Sequence, residues 1–118
     1  MCGSRDLGSP HEILNDLDHL IVAHGADAIT IVHGGAKGAD QLAGHYADQL
    51  DLAVEVHFAD WDKYKKAAGP IRNAAMLATG IDAVYAYVSK PLAESIGTSH
   101  MVSIARRAGV QVQIRECW

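Results

Sequence analysis

A chain of 118 residues, 49% hydrophobic and 20% charged, is sized for a single globular domain whose core needs no metal or disulfide staple. Its net charge of −4 disfavours nucleic acid as a general partner, because such binders carry a basic stripe that neutralises phosphates. The short clusters Lys63, Lys65, Lys66 and Arg106, Arg107 read instead as solvated helix faces.

Cys2 and Cys117 form no C-x-x-C or zinc-like spacing, and the seven histidines show no paired metal spacing. A reduced, cytoplasmic chain without metal is expected. No signal-like segment and no apolar run of about 20 residues stands in the sequence, so no membrane span is expected.

In chain order, Ser9-Pro10-His11-Glu12 is a capping box with proline at the first helical position, which predicts a helix over residues 10–24. Ile13, Leu17, Leu20 and Ile21 supply its buried face, and Gly25 ends it. Residues 28–33 form an apolar run suited to a strand buried on both faces of a parallel sheet. A glycine turn follows, then a helix over 38–50 with Leu42, Ala43, Tyr46, Ala47 and Leu50 on one side.

Residues 53–58 alternate as a strand, and the alternation suggests an edge position. Residues 62–68 read as a helical turn or a structured loop. Pro70 marks the start of a helix over 70–79 that carries Arg72, Asn73 and Met76, with Gly80 as its stop. Residues 83–88 are a further buried strand and 89–96 a loop. A helix over 98–108, with Met101, Val102, Ile104 and Ala105 as its apolar face, and a strand over 110–114 complete the chain. Helices alternating with strands over short connections predict a doubly wound α/β fold, a parallel sheet with helices on both faces.

In such sheets ligands bind at the carboxyl ends of the strands, where the strand order reverses. Gly3-Ser4-Arg5, His33-Gly34-Gly35-Ala36-Lys37, Asp60-Trp61, Ser89-Lys90 and Gly97-Thr98 all fall there. Gly34 and Gly35 allow positive φ and close backbone approach, Lys37 can place a charge on a phosphate, and the next helix offers its first N–H groups. Arg72, beside Asn73, brings a planar fork suited to phosphate or carboxylate.

Plainer readings stand beside these. The glycine pair is also a tight turn, and Asp40 also a helix cap or a partner for the helix dipole. The stretch is neither a kinase-type phosphate loop nor a complete dinucleotide fingerprint. Trp61 and Tyr64 can stack on a base or pack a lid, and His33 and His57 can be structural or basic. Ser4, Ser89 and Ser99 lack a visible histidine and carboxylate set, so no catalytic residue is assigned.

Gly3-Ser4-Arg5-Asp6, His33-Gly34-Gly35-Ala36-Lys37-Gly38-Ala39-Asp40, Ala59-Asp60-Trp61, Gly69-Pro70-Ile71-Arg72-Asn73 with Met76, and Gly97-Thr98 with Met101 together resemble the YspA-like branch of the SLOG superfamily. The resemblance implies a Rossmann-like domain related to the Lonely Guy phosphoribohydrolases and to the DNA-processing protein DprA. It implies binding or sensing of a nucleotide-derived small molecule, such as an NAD or ADP-ribose derivative, in bacterial or phage settings.

Lonely Guy enzymes use an arginine in a motif like that around Arg72 and a glutamate three residues after the threonine of P-G-G-x-G-T-x-x-E. Here that position is Met101, which cannot stabilise an oxocarbenium charge. The P-G-G portion is replaced by Ser89-Lys90-Pro91-Leu92-Ala93-Glu94-Ser95-Ile96, whose Glu94 is the substitute carboxylate nearest in sequence. The family's first strand precedes Gly-Ser-Arg, and only Met1 and Cys2 stand ahead of Gly3, so a first strand truncated or nearly absent is expected.

The expectation is therefore a binding module for a phosphate-bearing nucleotide derivative. Its contacts would be Gly3, Ser4, Arg5, Gly34, Gly35, Ala36, Lys37, Asp60, Trp61, Arg72, Asn73, Gly97 and Thr98, with no further cofactor; homo-oligomerisation stays open. The alternatives are an enzyme related to the Lonely Guy group, a nucleotide N-glycosidase, phosphoribohydrolase or phosphohydrolase using Asp40, Asp60 or Glu94, and a DprA-like scaffold for protein or single-stranded DNA.

Overall fold

Parallel pairing governs every strand contact in the computed structural model, which describes residues 1–4 and 11–117. The strands are β1 (Cys2–Gly3), β2 (Thr30–His33), β3 (Ala53–Val56), β4 (Ala83–Val88) and β5 (Gln111–Glu116). The helices are α1 (His11–His24), α2 (Ala39–Gln49), α3 (Trp61–Tyr64), α4 (Ala68–Ala78) and α5 (Ile96–Arg107), with 3-10 turns at Ala26–Ala28, Lys65–Ala67 and Leu92–Glu94.

Two sheets result, β1-β4-β5 and β2-β3. Met1 links them: Cys2 pairs with Ala86 of β4, while the Met1 ammonium donates to the Val32 carbonyl of β2 at 2.6 Å. Read across that link, the order is β3-β2-β1-β4-β5. This is a doubly wound, Rossmann-like arrangement, and its first strand is two residues long.

Each helix buries the face that its apolar spacing defines. Ile13 and Leu17 of α1 and Ala43 and Ala47 of α2 pack with Ile29, Ile31, Leu52 and Tyr87 on one side. Met76 of α4 and Met101 and Ala105 of α5 pack with Val84 on the other. β3 is exposed along its whole length, as its alternating, edge-like pattern suggests.

Several boundaries differ from those read in the sequence. α4 begins at Ala68, two residues ahead of Pro70, because any of the first N–H positions of a helix lacks an intrahelical acceptor and accepts proline. α5 begins at Ile96, so Gly97 and Thr98 lie inside its first turn. The second strand gives up residues 28 and 29, the third ends at Val56, and the last runs from Gln111 to Glu116. The segment left open around 62–68 is α3 followed by a 3-10 turn. The capping box from Ser9 and the start at Pro10 lie outside the described residues. Among the described residues no helix is long and apolar enough to cross a membrane.

Candidate functional site

Ser4 fastens three elements where β1 ends. Its N–H donates to the Tyr87 carbonyl at 2.8 Å, its carbonyl accepts from Ala39 N–H at 3.1 Å, and its buried hydroxyl accepts from Ser89 N–H at 3.0 Å. The carboxyl ends of β1 and β4 thus meet the first residue of α2. Arg5, the next expected contact, lies outside the described residues.

The glycine turn after β2 is wound around a carboxylate of the chain itself. Gly34 N–H and Ala36 N–H both donate to Asp40 Oδ2, at 2.9 and 3.3 Å. Gly35 N–H donates to His33 Nδ1 at 3.0 Å. Asp40 is buried in the first turn of α2, where the helix dipole favours a negative charge. Gly35 takes φ +71°, and a side chain there would strike the Phe58 ring, which is 76% exposed.

Arg72 closes the turn from the far side. From the first half of α4 its Nη1 donates to the Gly34 carbonyl at 2.9 Å and its Nε to Asn73 Oδ1 at 3.0 Å. A Cβ on Gly34 would collide with this guanidinium, so glycine is required for the approach. Buried Asn73 in turn donates through Nδ2 to the Gly97 carbonyl at 3.2 Å and lies 3.1 Å from His100 Nδ1. One chain of hydrogen bonds therefore runs from the end of β2 through α4 to the first turn of α5, where Thr98 is buried.

Other expected residues stand apart from this chain of bonds. Asp60 caps α3 by accepting from Lys63 N–H at 3.1 Å. Trp61 is half-exposed and lies against Gly69 at the start of α4. Lys37 is exposed in the turn ahead of α2. Met101, at the place of the Lonely Guy glutamate, is buried against Met76 and Val84, and Glu94 is exposed on the 3-10 turn before α5.

Burial sets the protonation of this region. It lowers the pKa of His33, with the neighbouring Asp40 pulling the other way, and the neutral ring is the form whose Nδ1 can accept from Gly35. Burial also pushes the Cys2 thiol up to about 11.

Sequence reasoning missed one buried charged cluster. Asp16 of α1 accepts from Tyr87 Oη at 2.8 Å and from Arg115 Nε and Nη2 at 3.1 and 3.0 Å. The available signal was an aspartate between Ile13 and Leu17 on the apolar stripe of the first helix, a position that calls for a buried partner. Phe58 and His100 were missed as well; each is placed by a contact with a residue distant in sequence.

Strand order and parallel pairing define a Rossmann-like α/β domain, a class in which ligands bind at the switch point beside the central strand. The chain belongs to the YspA, cpYpsA-related SLOG family, whose family model matches residues 1–64. The Gene 61 protein of Mycobacterium phage D29 is 38% identical over 89 residues, covering 71% of this chain and 69% of that protein. No solved structure matches. SLOG membership associates the chain with nucleotide-related binding or processing.

Proposed function

We propose that the chain is a single cytoplasmic domain that binds a phosphate-bearing nucleotide derivative, of the NAD or ADP-ribose kind, at the carboxyl ends of β1, β2 and β4. The observation that carries this reading is the half-buried Arg72 guanidinium held over the glycine turn. Gly34 and Asn73 take two of its five N–H donors and fix the plane of the fork. A phosphate would take the outward donors bidentately, with Lys37 and the first turn of α5 at Gly97 and Thr98 adding to it. Ser4, with Gly3, would floor the site, and Trp61 with Asp60 would meet the base or ribose. Because Asp40 and His33 already accept from the turn's N–H groups, the turn serves chiefly to position Arg72 and α2.

Binding is favoured over turnover by how the carboxylates are used. Asp40 is committed to the turn, Asp60 to a cap, and the remaining family position is a buried methionine. Thermal-shift screening against NAD, ADP-ribose and AMP, followed by chromatography of the incubated ligand, tests the reading. We expect a concentration-dependent rise in Tm, lost in Arg72→Ala, with the ligand recovered unchanged. A flat response to every ligand would discard the site, and turnover abolished by Glu94→Ala would replace a binder with an enzyme.

A further inference from the structure

Phe58 is the chain's single phenylalanine, and it stands on the surface at the carboxyl end of β3 rather than in either core cluster. Its place follows from strand register. His33 of β2 faces Val56 of β3, and the His57 N–H donates to the His33 carbonyl at 2.9 Å, so the pairing runs past the end of both strands. The same register, carried on, brings Phe58 beside Gly35. Glu55 and His57 bond to each other at 2.9 Å on one face of β3, which leaves Val54, Val56 and Phe58 on the other. Exposure rises along that second face, from 37% and 39% at Val54 and Val56 to 76% at Phe58.

Apolar side chains exposed one at a time are ordinary. This one is held in place, because one edge of its ring, Cδ1 and Cε1, rests where a side chain on Gly35 would be. Gly34, the residue before, receives the Arg72 guanidinium in the same way. The fork and the ring therefore stand on consecutive residues of one turn. The two contacts and one Cα–Cα step, taken end to end, keep them no more than about 11 Å apart. Exposed Lys37 follows in the same turn. Trp61, three residues after Phe58, lies against Gly69 at the start of α4. The segment from Phe58 to Trp61 thus runs from the glycine turn to the helix that carries Arg72, with an aromatic ring at each end.

We propose that Phe58 is the residue on which the nucleobase of the bound ligand stacks. The inference rests on the reading of Arg72 as a phosphate contact and names the group that meets the ligand's other end. In a nucleotide a single ribose joins phosphate to base, so a base lies within reach of a ring that stands one residue along the turn from the fork. A phenyl ring held by one edge leaves its faces open for such stacking. It has no hydrogen-bonding group, so it reads the base only as π surface. Preference then follows the size of that surface, with purine above pyrimidine and either above a ligand that has no base. Asp60 and Trp61, further along the same segment, fall to the ribose.

The test titrates AMP, CMP and ribose 5-phosphate into the unsubstituted chain and into Phe58→Ala and Phe58→Tyr. We expect the unsubstituted chain to bind AMP about fivefold to a hundredfold more tightly than ribose 5-phosphate, with CMP between them. Phe58→Ala should remove most of that difference, with ribose 5-phosphate affinity changed by less than about twofold and the Tm of the ligand-free chain by less than about 3 °C. Phe58→Tyr should restore it. Unchanged AMP affinity in Phe58→Ala would overturn the proposal. So would an equal loss for AMP and ribose 5-phosphate, which would mark the ring as a support for the turn. Neither result touches the phosphate contact, which the loss of ribose 5-phosphate binding in Arg72→Ala reports separately. Failure of all three ligands to bind the unsubstituted chain would overturn the phosphate site and this inference together.

Discussion

The Arg72 guanidinium rests on the Gly34 carbonyl, 2.9 Å away and 38 residues earlier in the chain, at a point where the absence of a side chain on Gly34 is what makes room for it. Gly34→Ala should therefore act on Arg72 while leaving its charge in place. We expect Gly34→Ala to weaken nucleotide affinity by about tenfold to a hundredfold, the worth of one charge-assisted hydrogen bond, and Arg72→Ala, which removes the whole fork, by at least as much. Isothermal titration of both variants with ADP-ribose checks this; full affinity in Gly34→Ala would show that the contact does not position the fork. Arg72→Lys should recover little, since an ammonium cannot hold two acceptors in one plane.

His33 makes stability depend on pH. Its folded pKa lies below its ordinary value of 6.5, so below that pH the unfolded chain binds a proton that the folded chain resists. Stability is fully present above about pH 6.5 and falls as the solution is acidified. Protonating Nδ1 also removes the acceptor for Gly35 N–H. Urea midpoints measured from pH 5 to 8 should fall on the acid side, and His33→Asn, which keeps an acceptor without a titrating ring, should flatten that fall.

Asp16 is the common acceptor for Tyr87 and Arg115. Asp16→Ala strands a buried phenol and a half-exposed guanidinium, and we expect a loss of roughly 2–3 kcal/mol, below the range for a fully buried pair because water still reaches Arg115. Asp16→Asn should lose less, since one oxygen still accepts from Tyr87. Denaturant unfolding of the two variants separates the values.

The Cys2 thiol, pushed up to about 11 by burial, should be chemically quiet. At pH 8 its thiolate fraction is roughly a hundredfold below that of an ordinary thiol. Iodoacetamide should label Cys2 in the folded chain at least that much more slowly than in urea, as read by mass spectrometry of the N-terminal peptide.

The alternation of helices and strands was legible because the apolar spacing of α1, α2 and α5 and the unbroken run of β4 each carry a period that local sequence fixes. That the first strand would be truncated or nearly absent followed from the family resemblance, which places it ahead of Gly3; the structure keeps Cys2 and Gly3 of it. Helix starts were less so: Pro70 fits any place in a first turn, and Gly97 says nothing about which residue opens α5. The grouping of Ser4, Gly34, Arg72, Asn73 and Gly97 at one end of the sheet followed from fold logic. Their connections did not, because Asp40 gathering the turn's N–H groups and Arg72 reaching Gly34 depend on how α2 and α4 dock. Asp16 and Arg115 are 99 residues apart, and no local pattern pairs them.

That last separation bears on how the chain is born. Asp16 leaves the ribosome early and waits for Arg115, which arrives with β5, before its charge has an ionic partner, and Tyr87 also emerges long after α1. Until β5 docks, the first helix carries an uncompensated carboxylate on the stripe it must bury. Pairing α1 with β5 is thus a closure across 99 residues of sequence, and such non-local closure is slow. A nascent polypeptide still lacking β5 would hold α1 loosely and become proteolytically resistant only once β5 has docked.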